Sequence, residues 1–112
     1  VAPWQSVYKL HLLADTPVTF VLTNGGHNAG IVSEPGHKGR EFQIRTTGEN
    51  EPYMSPEAWQ ASAERQEGSW WPAWVEWLDQ RSGKAVKPPK LGTGKAPFQA
   101  IENAPGSYVF QR

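Results

Sequence analysis

The chain is organised around one stretch of sequence, Val18-Thr19-Phe20-Val21-Leu22-Thr23-Asn24-Gly25-Gly26-His27-Asn28-Ala29-Gly30. Its first half is a short apolar run with β-branched residues, which is typical of a strand buried on both faces. The run breaks at Asn24-Gly25-Gly26, where glycine lets the backbone turn sharply. His27 follows directly, at the position where α/β enzymes place catalytic groups. The stretch predicts an α/β fold with a histidine on the loop after a buried strand.

His27 is the candidate catalytic residue of the sequence, because imidazole takes and gives a proton near neutral pH. A histidine in a glycine-rich turn is more often a solvated surface residue, so residue type and position leave both interpretations open. His37, in a second glycine-containing loop, is interpreted as solvated. The three histidines show no short ligand spacing, and no metal site is predicted.

The composition limits the classes of protein to which this chain can belong. Its 112 residues suffice for one small domain, and 11 basic and 11 acidic residues give no net charge, which disfavours nucleic-acid binding. No apolar run approaches the roughly 20 residues that span a bilayer. Cysteine is absent, so the chain has no disulfide, thiolate metal site or thiol nucleophile. The 11 glycines and 10 prolines predict a loop-rich structure, and the opening Val1 suggests a fragment of a longer protein.

Three helices are predicted, over residues 3–13, 55–65 and 70–82. Ser55-Pro56 begins the second helix clearly, since serine caps free N–H groups and proline suits the first helical position. Gly83 is expected to end the third helix in a left-handed conformation.

An aromatic stripe lies on one face of the third predicted helix and comprises Trp70 or Trp71, Trp74, Trp77 and Leu78. Such a stripe can hold a base or a sugar ring, but it is more often part of the core. We interpret it as the face that packs this helix against the domain.

The remaining segments are less regular. The predicted strand at 18–23 is expected to pair with residues 41–45, with the tail or with a second copy, because its backbone groups need partners. Residues 84–96 are interpreted as a flexible basic linker, although their lysines can also meet phosphates. Residues 107–110 are predicted to form an extended tail that docks on the domain and shields Tyr108 and Phe110.

Three blocks of sequence resemble one enzyme family. The segment Val1-Ala2-Pro3-Trp4 with the stretch 18–32, then Glu67-Gly68-Ser69-Trp70-Trp71-Pro72-Ala73-Trp74, then Ala104-Pro105-Gly106-Ser107-Tyr108-Val109 are similar to the C-terminal part of polyhydroxyalkanoate synthases of the long, class I type. The resemblance covers nearly all of the chain. It implies that residues 1–112 are the C-terminal portion of an α/β-hydrolase-like domain, with a helix, a buried strand, a catalytic-histidine loop, two further helices and a docked tail.

The resemblance also implies a catalytic role for His27. These synthases carry a Cys-His-Asp triad, in which His27 corresponds to the histidine that acts as general base on the cysteine. The family aspartate precedes the Pro-Trp pair by a few residues, and the cysteine lies in a Gly-x-Cys-x-Gly elbow. Both residues therefore lie upstream of this chain, which alone is predicted to be inactive.

The activity that the resemblance implies is acyl transfer. The full-length enzyme would polymerise (R)-3-hydroxyacyl-coenzyme A into polyester and release coenzyme A, without a cofactor, since the thioester is itself the substrate. The implied partners are the rest of the synthase chain, the growing polyester and a second copy in a homodimer. The implied location is the cytoplasm, at the surface of polyester granules. Two alternatives remain, a non-catalytic interaction module that keeps the fold remnant, and the end of another α/β-hydrolase such as an esterase.

Overall fold

The computed structural model describes residues 3–90, 92, 95, 97 and 99–112. The chain divides into two compact units, Val1–Ser82 and Gly83–Arg112. The predicted linker at 84–96 falls in the second unit, and its residues 91, 93, 94 and 96 lie outside the described residues.

The centre of the first unit is a three-stranded antiparallel sheet of strands β1 (Val18–Thr23), β2 (Glu41–Thr47) and β3 (Arg65–Glu67), in the order β1-β2-β3. Pairing of β1 with β2 was one of the predicted alternatives and is confirmed. The prediction that β1 is buried on both faces is wrong, because all six of its residues are only half-buried. The fold thus mixes helices and strands, but around a small antiparallel sheet.

One face of the sheet carries the core. It is covered by helices α1 (Trp4–Tyr8) and α3 (Pro56–Ser62), and the short helix α2 (His27–Ile31) lies between them in the sequence. Tyr8 and Trp59 are fully buried, and Phe20 packs edge-on against both of their rings. Gln43, opposite Leu22 in the sheet, donates from its amide to the carbonyl oxygens at the end of α3.

The helices on this face are shorter than the sequence suggests. The first predicted helix, residues 3–13, is α1 followed by one turn of 3-10 helix, Lys9–Leu12. The Ser55 hydroxyl caps α3 by accepting from the Ala58 N–H, as predicted. The prediction that this helix extends to residue 65 is wrong, since α3 ends at Ser62 and β3 begins at Arg65.

The opposite face of the sheet is covered by helix α4 (Trp71–Asp79). The Trp77 indole N–H donates to the Thr19 hydroxyl of β1 over 3.2 Å. A groove of about 270 Å³ remains between sheet and helix, lined by Thr19, Val21, Ile44, Trp70, Ala73, Trp74 and Trp77. The tryptophan stripe therefore faces the sheet, as predicted, but only partly buried, and Trp74 is 47% exposed.

The end of α4 differs from the prediction. The helix stops at Asp79, with Gln80 as its C-cap, and Gly83 is not the cap. The Ser82 hydroxyl donates to the Leu78 carbonyl, which in a longer helix would accept from a backbone N–H.

The second unit ends in one turn of 3-10 helix, Ser107–Phe110. The predicted extended conformation of the tail is therefore wrong, and Tyr108 and Phe110 are 67% and 83% exposed. The Glu102 carboxylate accepts from the Ser107 N–H and fixes the start of this turn locally. No helix within the described part of the chain has the length and apolar character needed to cross a membrane.

Candidate active site

The loop between β1 and β2 carries the candidate residue, and Asn24 closes its base. The Asn24 N–H donates to the Glu41 carbonyl over 3.1 Å, and its side-chain oxygen accepts from the Glu41 N–H over 3.0 Å. Its side-chain amide also donates to the Gly39 carbonyl over 2.8 Å. Asn24 at the start of the loop is thus hydrogen-bonded to residues at its end, which fixes the loop where it joins the sheet.

Gly25 lets the chain leave the strand. Its φ of +90° is a conformation that side-chain-bearing residues rarely adopt. A Cβ atom there would also lie 2.6 Å from a terminal nitrogen of Arg40. The guanidinium could move aside, so the backbone conformation is what requires glycine at this position, as the sequence pattern indicated.

His27 begins a short helix that the sequence did not predict, α2 (His27–Ile31). The φ angle of His27 is +40°, and no other non-glycine residue in the described part of the chain has a positive φ. Such a conformation costs on the order of 1–3 kcal/mol and occurs preferentially at functional sites. His27 is exposed, and its imidazole makes no hydrogen bond to another described residue. The imidazole is therefore accessible to a group on another part of a larger protein or on a substrate.

Gly30 sets the depth at which α2 lies against the sheet. It is buried, and a Cβ atom there would collide with the Thr23 hydroxyl and lie 3.3 Å from the Asn24 carbonyl oxygen. A side chain would force α2 away from the end of β1. Gly30 thus holds His27 close to the end of the strand, a role that the sequence motif alone does not reveal.

The other two histidines make contacts that do not involve His27. His11 stacks on Tyr8, with ring centroids 4.0 Å apart, and His37 is an exposed residue whose ring contacts the Lys38 carbonyl over 3.0 Å. The solvated interpretation of His37 agrees with its exposure. Within the described ranges, no group of three or more histidines and carboxylates is arranged to hold a metal ion.

Two shifted pKa values belong to groups near the opposite end of β1. Burial raises the pKa of Tyr8, with a smaller contribution from Tyr53. The Gly48 N–H, followed by the Arg45 guanidinium, lowers the pKa of Glu51. Tyr8 packs on Phe20 in the middle of β1, and Glu51 follows the end of β2 that pairs with Val18, so neither group belongs to the His27 loop.

The chain is similar to named polymerases over its whole length. It is 39% identical to poly(3-hydroxyalkanoate) polymerase 2 of Ectopseudomonas oleovorans, with 100% of this chain and 19% of the relative covered. It is 39% identical to the poly(3-hydroxyalkanoate) polymerase subunit PhaC of Rhizobium etli, covering 100% of this chain and 17% of the relative. The PhaC subunit of Cupriavidus necator is 37% identical, covering 97% of this chain and 18% of the relative. No family model matches the chain.

These similarities confirm the resemblance to polyhydroxyalkanoate synthases. The chain is homologous to a segment of these polymerases and spans less than a fifth of their length, 17% to 19% in the relatives above. More than four fifths of each relative therefore lies outside the homologous segment.

Proposed function

We propose that this chain, a homologue of one segment of the poly(3-hydroxyalkanoate) polymerases, supplies the general-base histidine of such an enzyme. His27 is that residue. The observation that carries the proposal is its backbone φ of +40° with an exposed imidazole, on a loop whose base is held by three hydrogen bonds of Asn24. Strain of this kind persists only where the surrounding structure fixes it, and it is common at catalytic positions.

The proposed chemistry is acyl transfer through a cysteine in the larger protein. A free thiol has a pKa of ~8.5, so little of it is the nucleophilic thiolate at neutral pH. The His27 imidazole removes the thiol proton, and the thiolate attacks the carbonyl carbon of (R)-3-hydroxyacyl-coenzyme A. The carbon–sulfur bond to coenzyme A breaks, and the imidazolium returns the proton to the departing thiolate. The same imidazole then deprotonates a hydroxyl group of another hydroxyacyl unit, and this oxygen attacks the carbonyl carbon of the acyl-enzyme. The carbon–sulfur bond to the cysteine breaks as the new ester bond of the polyester forms, and the imidazolium returns its proton to the cysteine thiolate.

The proposed setting is an α/β-hydrolase-like domain. Among the described residues β1 pairs with β2 alone, so its second edge carries backbone groups without sheet partners. An open edge supports the proposal that further strands, including the one that leads to the cysteine, pair there. The triad aspartate is likewise proposed to lie in the rest of the polymerase, where it would orient the imidazole as in other triads.

The proposed partners follow from this chemistry. They are the remainder of the polymerase, the hydroxyacyl-coenzyme A thioester, the growing polyester and a second copy in a homodimer. The thioester is the substrate, so no separate cofactor is proposed. The proposed location is the cytoplasm, at the granule surface, where an insoluble product accumulates.

The test is coenzyme A release by the full-length polymerase that contains this chain. We expect His27→Ala to lower the rate by roughly 10²–10⁴-fold, in line with loss of a positioned base. His37→Ala is the matched control, because His37 is an exposed loop histidine, and it should leave the rate unchanged. A His27→Ala rate near that of the wild type would contradict the proposal.

A further inference from the structure

We propose that Trp70 and Trp71 are positioning residues that hold the helix bearing His27, an inference that rests on the proposed role of His27 as base. Helix α2 has five residues, too few to be stable alone. The last carbonyls of any helix lack partners within the helix and need donors from elsewhere. In this structure two tryptophans supply those donors.

The donors reach α2 from the start of α4, about 40 residues further along the chain. The Trp71 indole N–H donates to the Ile31 carbonyl over 2.9 Å. The Trp70 indole N–H is shared between the Gly30 carbonyl, at 3.1 Å, and the Ile31 carbonyl, at 3.2 Å. The two indoles therefore fix both final carbonyl groups of α2.

Neighbouring polar groups extend this attachment. The Ser69 hydroxyl donates to the Ser33 carbonyl just after α2 and accepts from the Trp71 N–H over 3.1 Å. The Gly68 N–H donates to the Arg40 carbonyl over 2.7 Å, at the far end of the same loop. The segment 68–71 therefore contacts the β1–β2 loop at two places, directly after α2 and directly before β2.

The opposite side of α2 is fixed by Gly30. Gly30 is buried beside Thr23, where even a Cβ atom would collide with the Thr23 hydroxyl, and its carbonyl is held by the Trp70 indole. His27 is the first residue of this one rigid turn, so its imidazole position depends on the attachment at the other end. Because general-base catalysis requires contact within hydrogen-bond reach, a displacement of about 1 Å is expected to slow turnover strongly.

The test compares three tryptophan-to-phenylalanine variants of the full-length polymerase. Trp70→Phe and Trp71→Phe keep an aromatic ring and remove the N–H donor. Trp74→Phe is the matched control, because Trp74 lies on the same helix and packs against the Trp70 ring at 5.4 Å, but its indole N–H donates to none of the residues that the structure describes. The measurements are kcat and KM for coenzyme A release, and amide hydrogen exchange of the peptide that contains residues 27–31.

We expect Trp71→Phe to lower kcat by roughly 10-fold to 100-fold with an unchanged KM, and Trp70→Phe to act in the same direction. Amide exchange in α2 should accelerate in both variants and stay at the wild-type rate in Trp74→Phe. A structural role alone would lower the amount of folded enzyme and would not accelerate exchange only in this peptide.

Two outcomes would overturn the proposal. One is unchanged kcat despite faster exchange in α2, and the other is an equal effect of Trp74→Phe, which would indicate general packing of α4. Failure of the proposed function is distinguishable, because in that case His27→Ala itself would keep the wild-type rate.

Discussion

The two faces of the sheet use tryptophan in different ways. On the α1 and α3 face, Trp59 is completely buried, and its indole nitrogen has no hydrogen-bond partner among the described residues. On the α4 face, Trp70, Trp71 and Trp77 are only half-buried, yet each indole N–H is donated. Full burial with an unpaired N–H indicates packing for stability, whereas partial burial with a paired N–H indicates control of orientation.

The largest stability effect should separate these two uses. We expect Trp59→Ala to lower the free energy of unfolding by about 3–5 kcal/mol, because it leaves a large cavity in a closed core. Trp77→Ala should cost less, about 2 kcal/mol, since its ring is partly in water and lies against Arg81 at 3.9 Å. Chemical denaturation of the two variants measures the difference, and equal losses would remove the distinction between the faces.

A smaller effect is expected at His27, which neither face buries. Glycine tolerates positive φ, whereas alanine retains the steric cost of about 1–2 kcal/mol per residue. We therefore expect His27→Gly to be more stable than His27→Ala by about 1 kcal/mol, although both lack the base. Thermal or chemical unfolding of the pair measures this, and identical stabilities would show that the backbone at His27 is unstrained.

The smallest effect concerns Glu51, at the edge of the α1 and α3 face. Its pKa is lowered by the Gly48 N–H and then by Arg45, which also contacts Ser62 of α3. A lowered pKa gives stability that is present above the ordinary value near 4.5 and is lost as pH falls through the lowered pKa. Glu51→Gln should thus be slightly less stable than the wild type at neutral pH and equal to it in acid. Unfolding midpoints across pH test this, with Glu49→Gln as control, and a deficit that persists in acid would contradict it.

Local signals predicted much of the fold where the chemistry is local. Ser55-Pro56 predicted the start of α3, and the apolar run at 18–23 predicted β1, because capping and β-branched residues act within a few positions. Arg65–Glu67 escaped prediction, since a three-residue exposed edge strand has no apolar alternation. The prediction for the tail was misled by a signal that is present, because its apolar residues favour burial, whereas Tyr108 and Phe110 are exposed.

The candidate site was predictable in identity more than in geometry. The Gly-Gly-His-Asn-Ala-Gly motif and its family resemblance pointed to His27, whose catalytic role stays a prediction. The indole donors that hold the end of α2 come from residues about 40 positions away. Such contacts have no local periodicity, so no pattern within the motif could predict them.

The most direct test of the central claim is the reactivity of the catalytic cysteine in the full-length polymerase. Alkylation of that thiol is followed across pH by peptide mass spectrometry in the wild type and in His27→Ala. If His27 deprotonates the thiol, the wild type should react well below the free thiol pKa of ~8.5, and the variant should react only as pH approaches that value. Superimposable pH profiles would contradict the assignment of His27 as the general base.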